Sequence, residues 1–528
     1  MANINNLTKK IDVYNYKLIF WLILLFAIFL RIWNLDKIGF SNDEILHVEA
    51  AKSLLDEGEP KLASGFNYTR ALPYTKIVSF FFKYFGVNEF SARLPSVLIN
   101  LIFILISYWV VRKLLGKESA IIYLFLVSFS PMEIEYARYC RMYSLFQLLY
   151  FITVISFYLG IESKDKFGNI SIFNSQKENN FNIFYILISI VFFYFSFKIH
   201  LLSVTIFVTM VIYLMIMTII SWRRLFNFSH LKYPTLFFIL LFITTVFVIN
   251  NNWVLSIIRE PLDWAKYAEM NYKAYFWLLH KDYPVILFLY PISVGILIKE
   301  YKYFGIYLMS SFLPVIIFLS VFVVMKGDRY SFHLIPFFLI ALIPILLYLL
   351  KTFKNISFSL LDNNSIFMRV VVYIIFLTSL FAFVARPLVE SVNVTEKRNY
   401  PDYKELVNKL DVDLLNRSVI ICTEQQLFKY YFQKIPDYFI RSEIDVNNSD
   451  YRNVGSQVIS NIEELKHITL KNENVLIITD MNKINNRFFF NEKLIEYMNN
   501  SFIKSELGFK SNLLVYRSKN MPLQKICD

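Results

Sequence analysis

PSVLINLIFILISYWVVRK, residues 95 to 113, carries no charged side chain before its last two positions. A helix needs about 20 mainly apolar residues to cross the roughly 30 Å hydrocarbon layer, so this stretch reads as a transmembrane span closed by basic residues. Ten more segments read the same way: 16–33, 119–136, 142–161, 182–198, 201–221, 234–250, 284–299, 303–325, 332–350 and 369–385. Composition agrees, because 56% of the 528 residues are hydrophobic and 18% charged, which argues against a string of soluble domains. With 54 Phe and 35 Tyr against 12 Gly, disordered and collagen-like classes are also excluded. The expected fold is an α-helical polytopic membrane protein of about 11 transmembrane helices. The apolar run from Leu18 to Trp33 is followed by no small-residue cleavage site, so it is expected to be an uncleaved first span.

The net charge of +13 is explained by where the cations lie. With the amino terminus inside, Lys9, Lys10 and Lys17, then Arg112, Lys113 and Lys117, then Lys164, Lys166 and Lys177 fall on the cytoplasmic side. Arg223, Arg224, Lys232, Lys299, Lys302, Lys351, Lys354 and Arg369 continue the pattern. Cytoplasmic loops concentrate Lys and Arg, so no nucleic-acid partner is implied. This orientation places residues 34–94, 131–141 and 326–331 outside. Cys140, Cys422 and Cys527 are too few and scattered for a disulfide framework or a thiolate metal site.

Past residue 389 the composition turns polar, which divides the chain into a membrane domain, 1–389, and a soluble extracytoplasmic domain, 390–528. SVIICT (418–423), NVLIITD (474–480) and LLVYRS (513–518) read as buried strands, and KELVNKL and EKLIEYMNN have helical spacing. A small α/β domain is expected there. It holds no glycine-rich nucleotide fingerprint.

Two external segments carry candidate chemistry. In FSNDEILHVEAAKSLLDEGEP (40–60), Ser41 or Asn42 can cap a helix that starts with Asp43 and Glu44 and bears an apolar stripe of Leu46, Ala50, Leu54 and Leu55. LPYTKIVSFFFKYFG (72–86) is a second amphipathic helix, and both are expected to lie at the membrane surface within loop 34–94. An acidic pair at a helix start commonly serves capping and the helix dipole, whereas a partly desolvated carboxylate at the bilayer edge can act as a base. His47, one turn beyond Asp43, is expected to be a polar interface contact. In SPMEIEYARYCRMYSL (130–145), Arg138 and Arg141 would share a helix face flanked by Tyr136 and Tyr143. Paired guanidinium groups suit phosphate oxygens; the same arginines also suit ion pairs with Glu133 or Glu135, or snorkelling.

Five blocks in order resemble polytopic glycosyltransferases of the GT-C class, in the dolichyl-phosphate-mannose-protein mannosyltransferase-like group, glycosyltransferase family 39. They are NDE (42–44), GVNEFSARLPS (86–96), SPMEIEYARYCRMYSL, SFKIHLL (196–202) and GDRYSFHLIP (327–336). The resemblance implies an inverting transfer of a sugar, hexosyl or pentosyl, from a polyprenyl-phosphate-linked donor to an acceptor hydroxyl at the extracytoplasmic face of a bacterial or archaeal plasma membrane. The acceptor would be a glycan, lipid or protein. Asp43 matches the catalytic base, with Glu44 orienting the acceptor or assisting. Arg138, Arg141 and Arg329 match groups that stabilise the departing phosphate, and Arg93 is expected to anchor the second span.

His200, Arg70 and Tyr143 are further substrate or metal contacts under the same resemblance, and a divalent cation is the cofactor it raises. This chain departs from relatives by reading RALPYT at 70–75 where many carry HPPL or KPPL, and the adjacent metal-ligating acid is missing. Three other classes compete: a polymerase or ligase of lipid-linked glycans, a transporter or flippase, and a membrane anchor. No internal repeat or midplane charge pattern favours transport.

Overall fold

A computed structural model describes residues 2–162, 169–171, 180–221, 232–251, 271–323, 326–359, 401–410, 412–440, 454–485, 489–505 and 511–519. The chain divides into two compact units. The first comprises Met1–Arg31, Ser96–Ala137 and Met142–Leu388; the second comprises Ile32–Pro95, Arg138–Arg141 and Val389–Asp528.

The chain is an integral membrane protein of mainly helical fold. Among the described residues six helices are long and apolar enough to cross a bilayer: Glu89–Leu115, Tyr143–Glu162, Leu201–Ser221, Lys232–Asn250, Lys302–Phe322 and Asp328–Thr352. Two bent pairs qualify jointly, Lys117–Phe129 with Pro131–Ala137 and Ala274–Asp282 with Leu287–Glu300. Ile183–Ile199 is a shorter apolar helix, and the first expected span, 16–33, lies in α1 (Ala2–Ile32) except for Trp33. The expected span 369–385 lies outside the described residues.

The segment 119–136, expected as a span, is built from two helices that meet at 59°. Proline disfavours helical dihedrals in the residue before it, and Ser130, ahead of Pro131, is extended with φ −62° and ψ 125°. The break leaves carbonyls at the end of Lys117–Phe129 without helical partners, and lipid offers none. Arg31, fully buried, donates from Nη2 to the carbonyl of Val127 (3.3 Å) and from Nη1 to that of Ser128 (3.0 Å). Its Nε donates to Asn100 Oδ1 at 2.7 Å. Asn100 Nδ2 and Gln147 Nε2 then donate to the two oxygens of buried Glu133, at 2.8 and 2.7 Å. Gln147 Nε2 also reaches the Phe332 carbonyl at 3.1 Å. Four widely separated stretches of sequence are thus tied to the kink by one polar chain.

In the second unit, helices α2 (Asn42–Asp56), α3 (Leu72–Phe85) and the start of α4 (Glu89–Leu115) accompany a six-stranded sheet. The strands are β1 (Val419–Cys422), β2 (Tyr438–Ile440), β3 (Gln457–Ile459), β4 (Val475–Asp480), β5 (Phe502–Lys504) and β6 (Leu513–Ser518), in spatial order β3-β2-β1-β4-β6-β5. The first four are mutually parallel, and β6 runs antiparallel to both its neighbours. All six residues of β4 are buried, as a strand covered on both faces requires. Ile421, Ile477, Leu465 and Leu494 join strands and covering helices in one core. The small α/β fold expected at the carboxyl end is present.

Candidate active site

Ser41 caps α2 through a capping box: its Oγ accepts from the Glu44 amide at 3.4 Å, and Glu44 Oε2 accepts from the Ser41 amide at 3.0 Å. The stripe of α2 buries Leu46 and Ala50 against Leu62 and Tyr68, while Leu55, expected on the same stripe, is exposed.

Glu44 is fully buried and its oxygens are occupied. Arg93 binds it from Nε at 2.8 Å and Nη2 at 2.9 Å, and the Cys140 amide donates to Oε1 at 2.9 Å. Arg93 completes its five N–H donors on the carbonyls of Leu35 (2.9 Å), Ile38 (2.9 Å) and Gly39 (2.8 Å). Glu44 is therefore a brace between α2, α4 and the 138–141 turn, where the sequence pointed to a residue that orients the acceptor or assists the base. Arg93 anchors α4 as expected and also fastens the chain entering α2.

Asp43, the neighbour of this brace, keeps 29% of its side chain exposed. Arg141 Nη1 donates to its main-chain carbonyl at 2.7 Å and Nη2 stands 4.0 Å from Oδ1, with Tyr68 Oη 3.3 Å from Nη1. A half-exposed carboxylate with a buried guanidinium beside it is thus fixed at the first turn of α2. His47, a turn further on, is buried between the edges of Tyr68 and Tyr74 and has Nδ1 2.9 Å from Thr75 Oγ1. Burial, then the charges of Arg141 and Arg70, push its pKa well below the ordinary value, so it is a neutral packing residue. Arg70 itself is exposed.

Arg138 and Arg141 do not share a helix face. The helix Pro131–Ala137 ends before them, and the Arg141 amide closes a tight turn on the Tyr139 carbonyl at 2.7 Å. The two side chains accordingly diverge. Arg138 donates to the carbonyls of Trp33 (2.7 Å) and Asn34 (3.1 Å), where it closes the turn after α1. That placement engages both its terminal nitrogens with backbone and leaves Arg141 as the arginine beside Asp43. Burial, reinforced by the Glu44 charge, pushes the Cys140 thiol up to about 12, so it is no nucleophile.

The other expected residues belong to the membrane unit. Tyr143 is buried with its ring 6.0 Å from His200 and 5.4 Å from Tyr136, whose hydroxyl donates to Asp328 Oδ1 at 2.7 Å. Arg329 is half-buried with its guanidinium 5.0 Å from the Tyr330 ring, and Tyr330 is 6.4 Å from His200. His200 Nδ1 accepts from the Leu202 amide at 3.1 Å, so the proton of the neutral ring sits on Nε2. A ring held this way is a donor; coordinating a cation through Nε2 would require losing that proton or the cap. Among the described residues no three His, Cys, Asp or Glu side chains converge as metal ligands. The described residues of the candidate site therefore do not form a ligand set for a divalent cation.

Sequence reasoning missed the Arg31–Asn100–Glu133–Gln147 chain. Its signal was present, since an arginine in a span and an acid after a Ser-Pro step both need partners in lipid.

The family model described as dolichyl-phosphate-mannose-protein mannosyltransferase matches residues 73–173. The fold matches ArnT from Cupriavidus metallidurans bound to undecaprenyl phosphate at a TM-score of 0.55 and 11% identity, covering 95% of this chain and 99% of that one. It also matches the oligosaccharyltransferase AglB from Archaeoglobus fulgidus, in complex with an inhibitory peptide and a dolichol-phosphate, at a TM-score of 0.55 and 10% identity, covering 90% and 70%. No curated protein matches in sequence. The structural matches give this chain the GT-C fold, and the family match, which runs from the start of α3 past the end of the helix Tyr143–Glu162, gives it a resemblance to the dolichyl-phosphate-mannose-protein mannosyltransferase-like group.

Proposed function

We propose that this protein is an inverting glycosyltransferase that moves a sugar from a polyprenyl-phosphate-linked donor to an acceptor hydroxyl at the extracytoplasmic face. The observation that carries the reading is Asp43, a solvent-reaching carboxylate on a braced helix start with Arg141 against it. Asp43 takes the proton of the acceptor hydroxyl as that oxygen attacks the anomeric carbon. The bond from that carbon to the phosphate oxygen breaks on the opposite face, and the polyprenyl phosphate leaves with the bonding electrons. Arg141 offsets the negative charge that grows on the leaving phosphate, an electrostatic role with no covalent intermediate. Arg329, Tyr143 and His200 are proposed donor contacts of the membrane unit, with no step assigned to them. No step runs through a metal.

A lipid-linked donor suits the membrane unit, where Leu202, Phe207, Val211, Leu241, Val248 and Phe318 help line an apolar groove of about 300 Å³. The matched ArnT and AglB structures hold undecaprenyl phosphate and dolichol-phosphate respectively, which supports the same ligand class here. The basic segments between spans support an external position for α2. The test incubates purified full-length protein in nanodiscs with polyprenyl-phosphate sugars and a panel of acceptors. A positioned base contributes about 10²–10⁴-fold, so Asp43→Asn is expected to lower turnover by at least that lower bound, with the product anomer inverted. Equal transfer by the variant would remove Asp43 as the base.

A further inference from the structure

Residues 38–40, immediately ahead of the Ser41 cap, form no regular structure, so their backbone polar groups need partners elsewhere. The carbonyls of Ile38 and Gly39 go to Arg93. The amides of Gly39 and Phe40 go to the carboxyl-terminal part of the same unit. Gly39 N donates to Asp402 Oδ1 at 3.2 Å, and Phe40 N donates to Tyr431 Oη at 2.7 Å. Tyr431 in turn donates to Glu89 Oε1 at 2.8 Å, and Lys404 Nζ bridges Glu89 Oε2 (3.2 Å) and the Asp36 carbonyl (2.8 Å). Phe40 is buried with its ring centroid 5.4 Å from that of Tyr430 and 5.6 Å from the Arg93 guanidinium carbon. The fit at Gly39 is tight: a Cβ there would meet Asp402 Oδ1 at 2.7 Å and Tyr431 Oη at 3.0 Å.

We propose that Asp402 and Tyr431 are positioning residues, and that the carboxyl-terminal α/β region serves the reaction by gripping residues 39–40 and so fixing the first turn of α2 and Asp43. The inference rests on Asp43 being the base. The grip sits on the chain three to four residues before Asp43 and opposes Arg93, which pulls the same segment by its carbonyls. A small displacement of a base relative to the reacting hydroxyl lowers turnover without touching donor binding.

The experiment compares full-length wild type, Tyr431→Phe, Gly39→Ala, Asp402→Ala and Asp402→Asn, with Lys466→Ala as a surface control. Two readouts are taken: amide hydrogen exchange over residues 36–48, and kcat separated from donor KM. Tyr431→Phe removes the acceptor of the Phe40 amide, and Gly39→Ala pushes the grip apart from the other side without altering the α/β region. Both are expected to lose protection over 36–48 and roughly ten-fold or more in kcat at unchanged donor KM. Asp402→Asn keeps an acceptor oxygen and is expected to restore what Asp402→Ala loses. Unchanged protection in Tyr431→Phe and Gly39→Ala would overturn the grip, and lost protection with wild-type kcat would overturn its consequence for the reaction. If wild type transfers no sugar from any donor, the glycosyltransferase reading fails while the exchange data still decide the grip.

Discussion

Replacing Glu44 by Gln is nearly isosteric yet cannot preserve its environment. Four donors bind the two carboxylate oxygens: Arg93 Nε and the Cys140 amide at Oε1, Arg93 Nη2 and the Ser41 amide at Oε2. Whichever way the amide turns, its NH₂ faces two of those donors, so two of the four hydrogen bonds are lost. The remaining loss is electrostatic, because Arg93 is buried and its other partners are neutral carbonyls. Breaking a buried pair from one side costs about 3–5 kcal/mol, and the three carbonyls that still hold Arg93 argue for about 3 kcal/mol here. That is a large share of a stability of about 5–15 kcal/mol. Unfolding of nanodisc-embedded protein by denaturant, followed by exchange protection in α2, reads the change. Because the cost is the orphaned charge, Glu44→Gln with Arg93→Met is expected to be less destabilised than the sum of the two single variants. A Glu44→Gln protein within about 0.5 kcal/mol of wild type, a range typical of surface changes, would refute the buried-pair reasoning.

Two other expectations follow from the same kind of reading. Arg31→Met removes the donors that hold the Val127 and Ser128 carbonyls at the kink, and unsatisfied buried groups cost about 1–3 kcal/mol each; a lowered thermal midpoint in detergent checks it, and an unchanged one would show that the kink stands without Arg31. Burial raises the Glu49 carboxyl to about 7, against the pull of the Ala63 amide and Lys429. A carboxyl raised in the folded state binds more protons there than in the unfolded chain between about 4.5 and 7. Stability should therefore fall as pH rises through that window, and Glu49→Gln should flatten the slope; equal slopes would place the titration elsewhere.

The apolar runs determined most of the membrane helices by themselves, because a span in lipid must satisfy its backbone internally and be apolar for about 20 residues. The Ser41 cap was equally legible, since it depends on residues three apart. The alternation of buried strands with amphipathic helices marked the α/β region for the same local reason. What the sequence could not decide were the partners of charged side chains far apart in the chain. Glu44 and Asp43 are adjacent and chemically alike, but only the fold brings Arg93 and Cys140 to the first and leaves the second partly exposed beside Arg141. Arg138 and Arg141 looked paired on a helical ruler, and the turn at Tyr139 sends them apart. Residues 39–40 and 431 are separated by most of the chain, so the hydrogen bond that joins them is a product of tertiary structure alone, made where an irregular backbone had to find donors and acceptors outside itself.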